Sequence, residues 1–574
     1  MRGWPWQRVT PIAAAAGSFV LLVAVLPSLP TSNPGVSSAR APQAGGTSAP
    51  GASGTSTPGA GPTAAAQTQP GLAATGPGSA SGGVAGTGVA AGSATAAGAG
   101  STGCANGGAT YQGVSCTDIV TVFHWAQDYN ECPGDQNLTP WLAALGVNAD
   151  PATSLNVLVP YVNQHAAQLF PYAASKLGPS GFYGRQIKAI YDTRDGGPWC
   201  TDVTRAAAQR IAQQDRAFAG IGGCITCTSE GSGQIMQPLL AGYHVLSIEA
   251  TQNRNAWYMP QQPYSWGVLA SGDTDTFHLA SVICNLYAGK PASNTGDSSV
   301  SGRPRIFSVV NQDDNEIDAL GDEFIANIQR CGVTMAAGNA GHIKYAKDLS
   351  TAASQAANVE AQQRSAGVTT IVCLCDAVAT LVGTQQNSST GWHPEYLASD
   401  FGFLDSPSAV NNYPPDVWKN AVVTAESNAH DHSTAHWCET SAGQVWCSVK
   451  GNTQPPIDFE LWYDAVVLYG AFIAGSGPNL TPQNIQNALF GACGSHYCPK
   501  AGIPRPYDFN LGFGPAFPDG ENSTVKDFEL VRWDPNATSP FLRDVKNNQS
   551  LKGSYVPYSA NVGWTRLRTW GHPS

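Results

Sequence analysis

A short apolar run that stops at a small or polar residue and leads into a helical pattern recurs along this chain. Clear copies are QIKAIYDTRD from Gln186, RAFAGIGG from Arg216, YHVLSIEA from Tyr243, PRIFSVVNQDDNE from Pro304 and TTIVCLCDAVA from Thr369. Each run is rich in Ile, Val, Phe or Ala and too short for a helix of its own, so each predicts a strand buried on both faces. The runs stop at Asp192, Gly223, Glu249, Asn311 and Asp376. Beyond Asn311, the positions Leu320, Phe324, Ile325 and Ile328 form one apolar stripe at helical spacing. Strands alternating with helices predict an α/β class, with parallel sheets held between helix layers. Ligands of such sheets sit at the carboxyl ends of the strands. The polar strand ends are therefore the first candidates for a binding site.

The pattern changes at both ends of this region. Near the C-terminus, IDFELWYDAVVLYGAFIAG from Ile457 predicts a long helix. Asp458, Glu460 and Asp464 within it argue for a core helix over a membrane span. Thr481 then offers an N-cap, with Pro482 as the first helical residue. The stretch FNLGFGPAFPDGENSTVKDFELVRWD predicts two strands joined by a turn through Asp519 and Gly520. Before Cys104 the alternation is missing. Residues 31–103 are almost only Ala, Gly, Ser, Thr and Pro, with no aromatic residue and no isoleucine. Such a segment buries too little apolar surface to offset its ordering entropy, which predicts a disordered linker. Its 73 residues would span about 45–50 Å end to end as a flexible coil.

Residues 1–30 read as an export segment. Arg2 and Arg8 form a positive start, and Ile12–Leu26 is an apolar run of 15 residues, as in a signal peptide. The uncharged stretch Val9–Pro30 has 22 residues, also long enough to span a bilayer. A cleaved signal and a retained anchor both stand.

Charge and cysteines narrow the class. Three of the 29 Lys and Arg residues precede Cys104, which leaves 26 against 40 acids, a net −14 for the remainder. An acidic body lacks the basic patches of a phosphate-backbone binder, so no nucleic-acid partner is expected. All 14 cysteines lie at or after Cys104, and an even number in an exported chain predicts disulfides. Cys438/Cys447 and Cys493/Cys498 have the spacing of local staples.

Taken in order, these motifs resemble the type I periplasmic binding proteins, the branched-chain amino-acid (Leu/Ile/Val) binding family of ABC importers. GFYGRQIKAIYDTRDG resembles the family's second strand. FAGIGG with Cys224, Thr226, Thr228 and Ser229 resembles its third strand and hydroxyl-rich ligand loop, and HVLSIEAT its fourth. IFSVVNQDDNEIDALGDEF resembles the first strand of the second lobe. AGVTTIVCLCDAVATLV and GWHPEYLASDFGF resemble the strands that follow. The resemblance covers roughly residues 116–540. It implies two α/β lobes joined by three hinge crossings, near Gly272, Ser406 and Asn510. Lobe one would comprise 104–272 and 405–508, and lobe two 273–404 and 509–574.

The resemblance also implies a site. A ligand carboxylate would meet Thr226, Thr228 and Ser229, then Ala250 and Thr251. A hydroxyl-rich loop entering a helix presents donors and a positive dipole end to an anion, although the same hydroxyls suit capping of a helix starting near Gly231. Asp376 and Asp400, with Asp405 nearby, would face the ammonium end. For Asp376 the alternative is helix capping. Asn311 and Asp313 occupy a lobe-two loop where the family often has Tyr. Tyr129, Tyr183, Trp257 and Trp392 are aromatics for stacking or for the core. Glu249 departs from the pattern by placing an acid where a small or polar residue is usual.

The expected function is an extracytoplasmic solute-binding protein of an ABC importer. It would be a monomer that closes around a small polar solute, an amino acid or a related compound, and is read by a membrane permease. No cofactor, metal or catalytic set is expected. An extracellular sensor on the same fold is the alternative. A zinc hydrolase is the rival from another class, resting on His430, His432 and His436 with Asp431, Cys438 and Glu439 adjacent. Cys224-x-x-Cys227 has redox-motif spacing but reads as a structural disulfide in an exported chain.

Overall fold

The structure, a computed structural model, describes residues 104–125, 150–195, 201–222, 232–250, 252–346, 351–406, 410–425, 438, 441–453, 455–456, 458–493, 528–543 and 550–558. All of them lie in one compact unit, Ala96–Ser574.

Two sheets organise it. The first has five parallel strands in the order β2-β1-β3-β4-β5: β1 (Asp118–His124), β2 (Gln186–Asp192), β3 (Ala219–Gly222), β4 (Leu246–Glu249) and β5 (Ser265–Gly267). The second has seven strands in the order β12-β11-β10-β9-β8-β6-β7. Its parallel part is β6 (Phe307–Gln312), β7 (His342–Tyr345), β8 (Thr370–Leu374), β9 (Glu395–Ser399) and β10 (Ala421–Ala425). β11 (Glu529–Arg543) and β12 (Ser550–Pro557) extend it as an antiparallel ribbon. Every residue of β3, β4, β6, β8, β9 and β10 is buried. That explains the continuous apolar runs of the sequence: helices cover both faces, so neither face needs polar residues.

Helices α1 (Pro151–Leu169), α2 (Thr201–Gln209) and α3 (Ser232–Gly242) connect the strands of the first sheet. Helices α4 (Gly272–Val282), α5 (Asn315–Arg330), α6 (Ala352–Ser365) and α7 (Ala377–Thr390) serve the second. Further along lie α8 (Ser441–Lys450), α9 (Phe459–Ser476) and α10 (Pro482–Cys493). The stripe expected after Asn311 is α5, with Leu320, Phe324 and Ile328 buried. The long apolar helix is α9, and it packs onto the first sheet. Trp462 meets Phe123 and Trp125, Phe472 meets Trp266, and the Tyr469 hydroxyl lies 2.9 Å from Thr121 Oγ1. Among the described residues no helix is long and apolar enough to cross a membrane.

The chain crosses between the sheets three times. The first crossing follows β5 at Gly272, where a Cβ would fall 3.0 Å from the Gln252 carbonyl oxygen. The second comes later than the sequence reading placed it. Residues 405–406 and 410–425, assigned there to lobe one, belong with the second sheet: β10 pairs with β9, and Val410, Tyr413, Val417 and Trp418 join that lobe's core. Their apolar side chains are buried there, so the chain returns to the first sheet only between β10 and α8. The third crossing falls between α10 and β11, and Asn510 is outside the described residues. The hairpin at the end also differs from expectation. FELVRWD lies in β11, but its partner is β12, SLKGSYVP, and the expected turn at Asp519 and Gly520 is outside the described residues.

Four disulfides are described: Cys104–Cys116, Cys284–Cys331, Cys373–Cys375 and the expected Cys438–Cys447. Cys493/Cys498 has no described partner geometry because Cys498 lies outside the described residues. Two buried arginines anchor the lobes. Arg185 donates to the carbonyls of Ser115, Pro478, Asn106 and Gly108 and so ties down the start of the described chain. Arg305 forms a two-pronged pair with Glu395 at 2.7 and 3.0 Å.

Candidate functional site

Both parallel sheets end in polar residues at their carboxyl edges. In the first, β1 ends at His124, β2 at Asp192, β3 at Gly222 and β4 at Glu249. His124 is fully buried. Its Nδ1 lies 2.8 Å from Asp195 Oδ2, and its Nε2 lies 3.1 Å from Glu249 Oε1. Ser247 donates its hydroxyl to the same Glu249 oxygen at 3.1 Å. The ends of β1 and β4 and the loop after β2 are thus brought together at one imidazole. Burial alone would push that imidazole down, but the Glu249 and Asp195 carboxylates outweigh it and hold His124 up at about 10. Burial pushes the Glu249 carboxyl up, and His124 opposes this.

The neighbouring strand is shaped to the cluster. A Cβ on Gly222 would fall 1.8 Å from Glu249 Oε2 and 2.6 Å from His124 Cε1. Glycine at the end of β3 is therefore required by the close approach. Beside the cluster, Arg210 donates to both Asp192 oxygens at 2.9 and 3.2 Å. The Asp192 carbonyl accepts from the Trp125 backbone N–H at 3.0 Å.

The second sheet's edge carries Asn311, Tyr345, Asp376 and Asp400. Asp376 is the N-cap of α7: Oδ1 accepts from the Val378 and Ala379 N–H groups at 2.8 and 2.9 Å. Its Oδ2 accepts from the Tyr345 hydroxyl at 2.8 Å. Both oxygens are thus engaged inside this lobe, so the capping alternative describes its contacts. Replacing Asp376 with Ala is expected to cost about 1–2 kcal/mol of stability, as for other lost N-caps, read as a fall in the denaturant midpoint with an unchanged slope. No loss would show that the cap carries no weight.

The edges of the two sheets meet. Gln252, in the loop after β4, donates to Asp400 Oδ1 at 3.3 Å in the loop after β9. It also donates to Asp275 Oδ2 at 2.9 Å and accepts from the Gly402 N–H at 3.0 Å. Asp400 is buried.

The sequence-expected residues divide as follows. Thr226, Thr228, Ser229 and Thr251 lie outside the described residues, as do Tyr129, His430, His432 and His436. Ala250 is buried directly after β4. The Asn311 amide donates to Asp318 Oδ1 at 2.9 Å, and its oxygen faces His342, so its side chain serves the β6–β7–α5 corner. Asp313 is exposed, and its backbone N–H donates to the Tyr345 carbonyl. Asp405 and Trp392 are buried, while Tyr183 and Trp257 are half-buried. The unusual acid Glu249 is accounted for by His124. Sequence reasoning missed His124, Asp195 and Gln252. The signal for His124 was present: VTVFH is another apolar run that stops at a polar residue.

No protein-family model matches the chain, and no curated protein matches it. Solved structures of similar shape include ABC transporter substrate-binding proteins. One is the branched-chain amino acid transporter substrate-binding protein LivJ of Streptococcus pneumoniae in complex with isoleucine, 11% identical, TM-score 0.46, covering 77% of this chain and 100% of that one. Another is a solute-binding protein of R. palustris in complex with 4-hydroxybenzoate, 12% identical, TM-score 0.48, covering 78% of this chain and 99% of that one. A third is a fatty acid ABC transporter substrate-binding protein of Thermomonospora curvata, 12% identical, TM-score 0.49, covering 79% of this chain and 95% of that one. Two parallel-dominated sheets with helices on both faces, linked by three crossings, make this a two-lobed α/β fold.

Proposed function

We propose that this chain is an extracytoplasmic solute-binding protein of an ABC importer, holding a small polar solute between its two lobes. The observation that carries the reading is the meeting of two carboxyl edges. Loops after β4 and β9, each at the ligand-binding end of a parallel sheet, touch through Gln252 and Asp400. A solute seated there contacts both lobes and shifts the balance between open and closed forms by its differential affinity for them. No bond is made or broken. The permease partner would read the closed form. The segment before Cys104 would tether the lobes outside the cell as a linker.

Thermal melts of the protein against amino acids, amides, peptides, polyamines, aromatic acids and sugars test this. A solute at 100 times its dissociation constant should add about 2.7 kcal/mol of stability. A rise in melting temperature with one chemical class supports the reading and names the class. A cooperative melt that no member of the panel moves counts against it.

A further inference from the structure

We infer that residues 252–255 form an interlobe latch that holds the two lobes together without a solute. This builds on the solute-binding reading but concerns the resting balance of the protein. The segment belongs to lobe one, because β4 precedes it and β5 follows it in the first sheet. Its side chains nevertheless reach three elements on the second lobe's side: α4, α5 and the loop after β9.

Gln252 is buried and uses both ends of its amide. Its Nε2 donates to Asp275 in α4 and to Asp400 after β9, and its Oε1 accepts from the Gly402 N–H. Arg254 makes a second grip nearer the surface. Its Nε donates to Asp273 Oδ1 at 2.8 Å and its Nη2 to Glu323 Oε2 at 2.6 Å, which reaches α5. The other Asp273 oxygen accepts from the Asn255 N–H at 2.7 Å. Gln252 also touches the first crossing, where its carbonyl accepts from the Gly272 N–H at 3.1 Å, so the contacts that opening would break are those of Gln252 to Asp400 and Gly402 and of Arg254 to Glu323. Charge-assisted hydrogen bonds are stronger than neutral ones, and opening would exchange them for bonds to water.

The latch follows directly after Ala250 and Thr251, the strand-end positions where a solute is expected. A solute there would act on a segment already gripping the other lobe. Apparent affinity depends on the fraction of protein in the binding-competent form, so the grip of Gln252 and Arg254 would set that fraction before any solute arrives.

The test uses the full chain with no solute. Spin labels carried on non-canonical side chains at exposed Gln213 in lobe one and Gln329 in lobe two report the interlobe distance by pulsed electron resonance. Gln252→Ala is expected to move a substantial share of the distribution to longer distances. Glu323→Gln, which loosens only the exposed grip, is expected to move a smaller share in the same direction. An unchanged distribution for Gln252→Ala, with a cooperative melt, overturns the proposal. If Gln252→Ala does not fold, Arg254→Ala is measured in its place, and an unchanged distribution overturns the proposal equally. The solute panel and the distance measurement use different readouts, so either proposal can fail alone.

Discussion

Replacing His124 with Ala should be among the most damaging single changes in the first lobe. It leaves Asp195 and Glu249 buried and facing one another without the cation between them. Breaking a buried charge pair by removing one partner costs about 3–5 kcal/mol. The effect should depend on pH in a defined sense. His124 is held at about 10 in the folded protein, above the ordinary 6.5. A group whose pKa rises on folding contributes its stability in full below the unfolded value, and loses it as pH climbs through the folded value. The gap between parent and variant should therefore be wide near pH 6.5 and narrow toward pH 10. Urea titrations at a series of pH values measure it. A gap that does not change with pH would show that His124 acts through packing and not through charge. The double variant His124→Leu with Glu249→Met separates the pair term: if the two residues act as a unit, its loss should be well below the sum of the single losses.

The second large effect lies in the other lobe. Glu395 accepts from Arg305 Nε and Nη2, from the Thr370 hydroxyl at 2.8 Å and from the Asn294 N–H at 3.2 Å. Arg305 also donates to the carbonyls of Tyr287 and Lys290, and its guanidinium sits 4.8 Å over the Tyr287 ring. Both side chains are almost fully buried. Glu395→Ala strands a guanidinium in the interior and should cost about 3–5 kcal/mol. Arg305→Met together with Glu395→Leu removes both charges and should recover much of that loss, because an apolar pair carries no desolvation penalty. Equilibrium unfolding of the two variants decides it. A double variant as unstable as Glu395→Ala would mean that the bonds to Thr370 and Asn294 carry the effect, not the ion pair. Both residues begin strands or precede them, at the edge away from the proposed site, so this change should act on stability alone.

The expected helix at Asp376 illustrates where local reading succeeds and stops. An aspartate between a buried strand and a helix was recognised as either a cap or a ligand group. Sequence spacing puts the carboxylate at the strand end in both cases. Only the fold adds Tyr345, from a strand about thirty positions earlier, and with it both oxygens acquire protein partners. Asn311 is a similar case: its position at the end of β6 was legible, but not that His342 on β7 and Asp318 on α5 would engage its amide.

The sequence by itself determined the strands, the helices that follow them and the parallel class. Those depend on runs of apolar residues and on their periodicity, which are local properties. It also marked the strand ends as polar, and the Cys438–Cys447 staple follows from nearness along the chain. Tertiary structure decided which ends act together. His124, Asp195 and Glu249 are distant in sequence, and they meet because β1 lies between β2 and β3, with β4 next in the sheet. The second crossing was misplaced because β10 looks, on its own, like a strand of either lobe. Its pairing with β9 assigns it to the second sheet, and hydrogen-bond register between strands is not written in the local pattern. The reach of Gln252 and Arg254 into the other lobe is of the same kind. A short polar run reads locally as a solvated loop, and only the approach of α4, α5 and the β9 loop turns it into a grip.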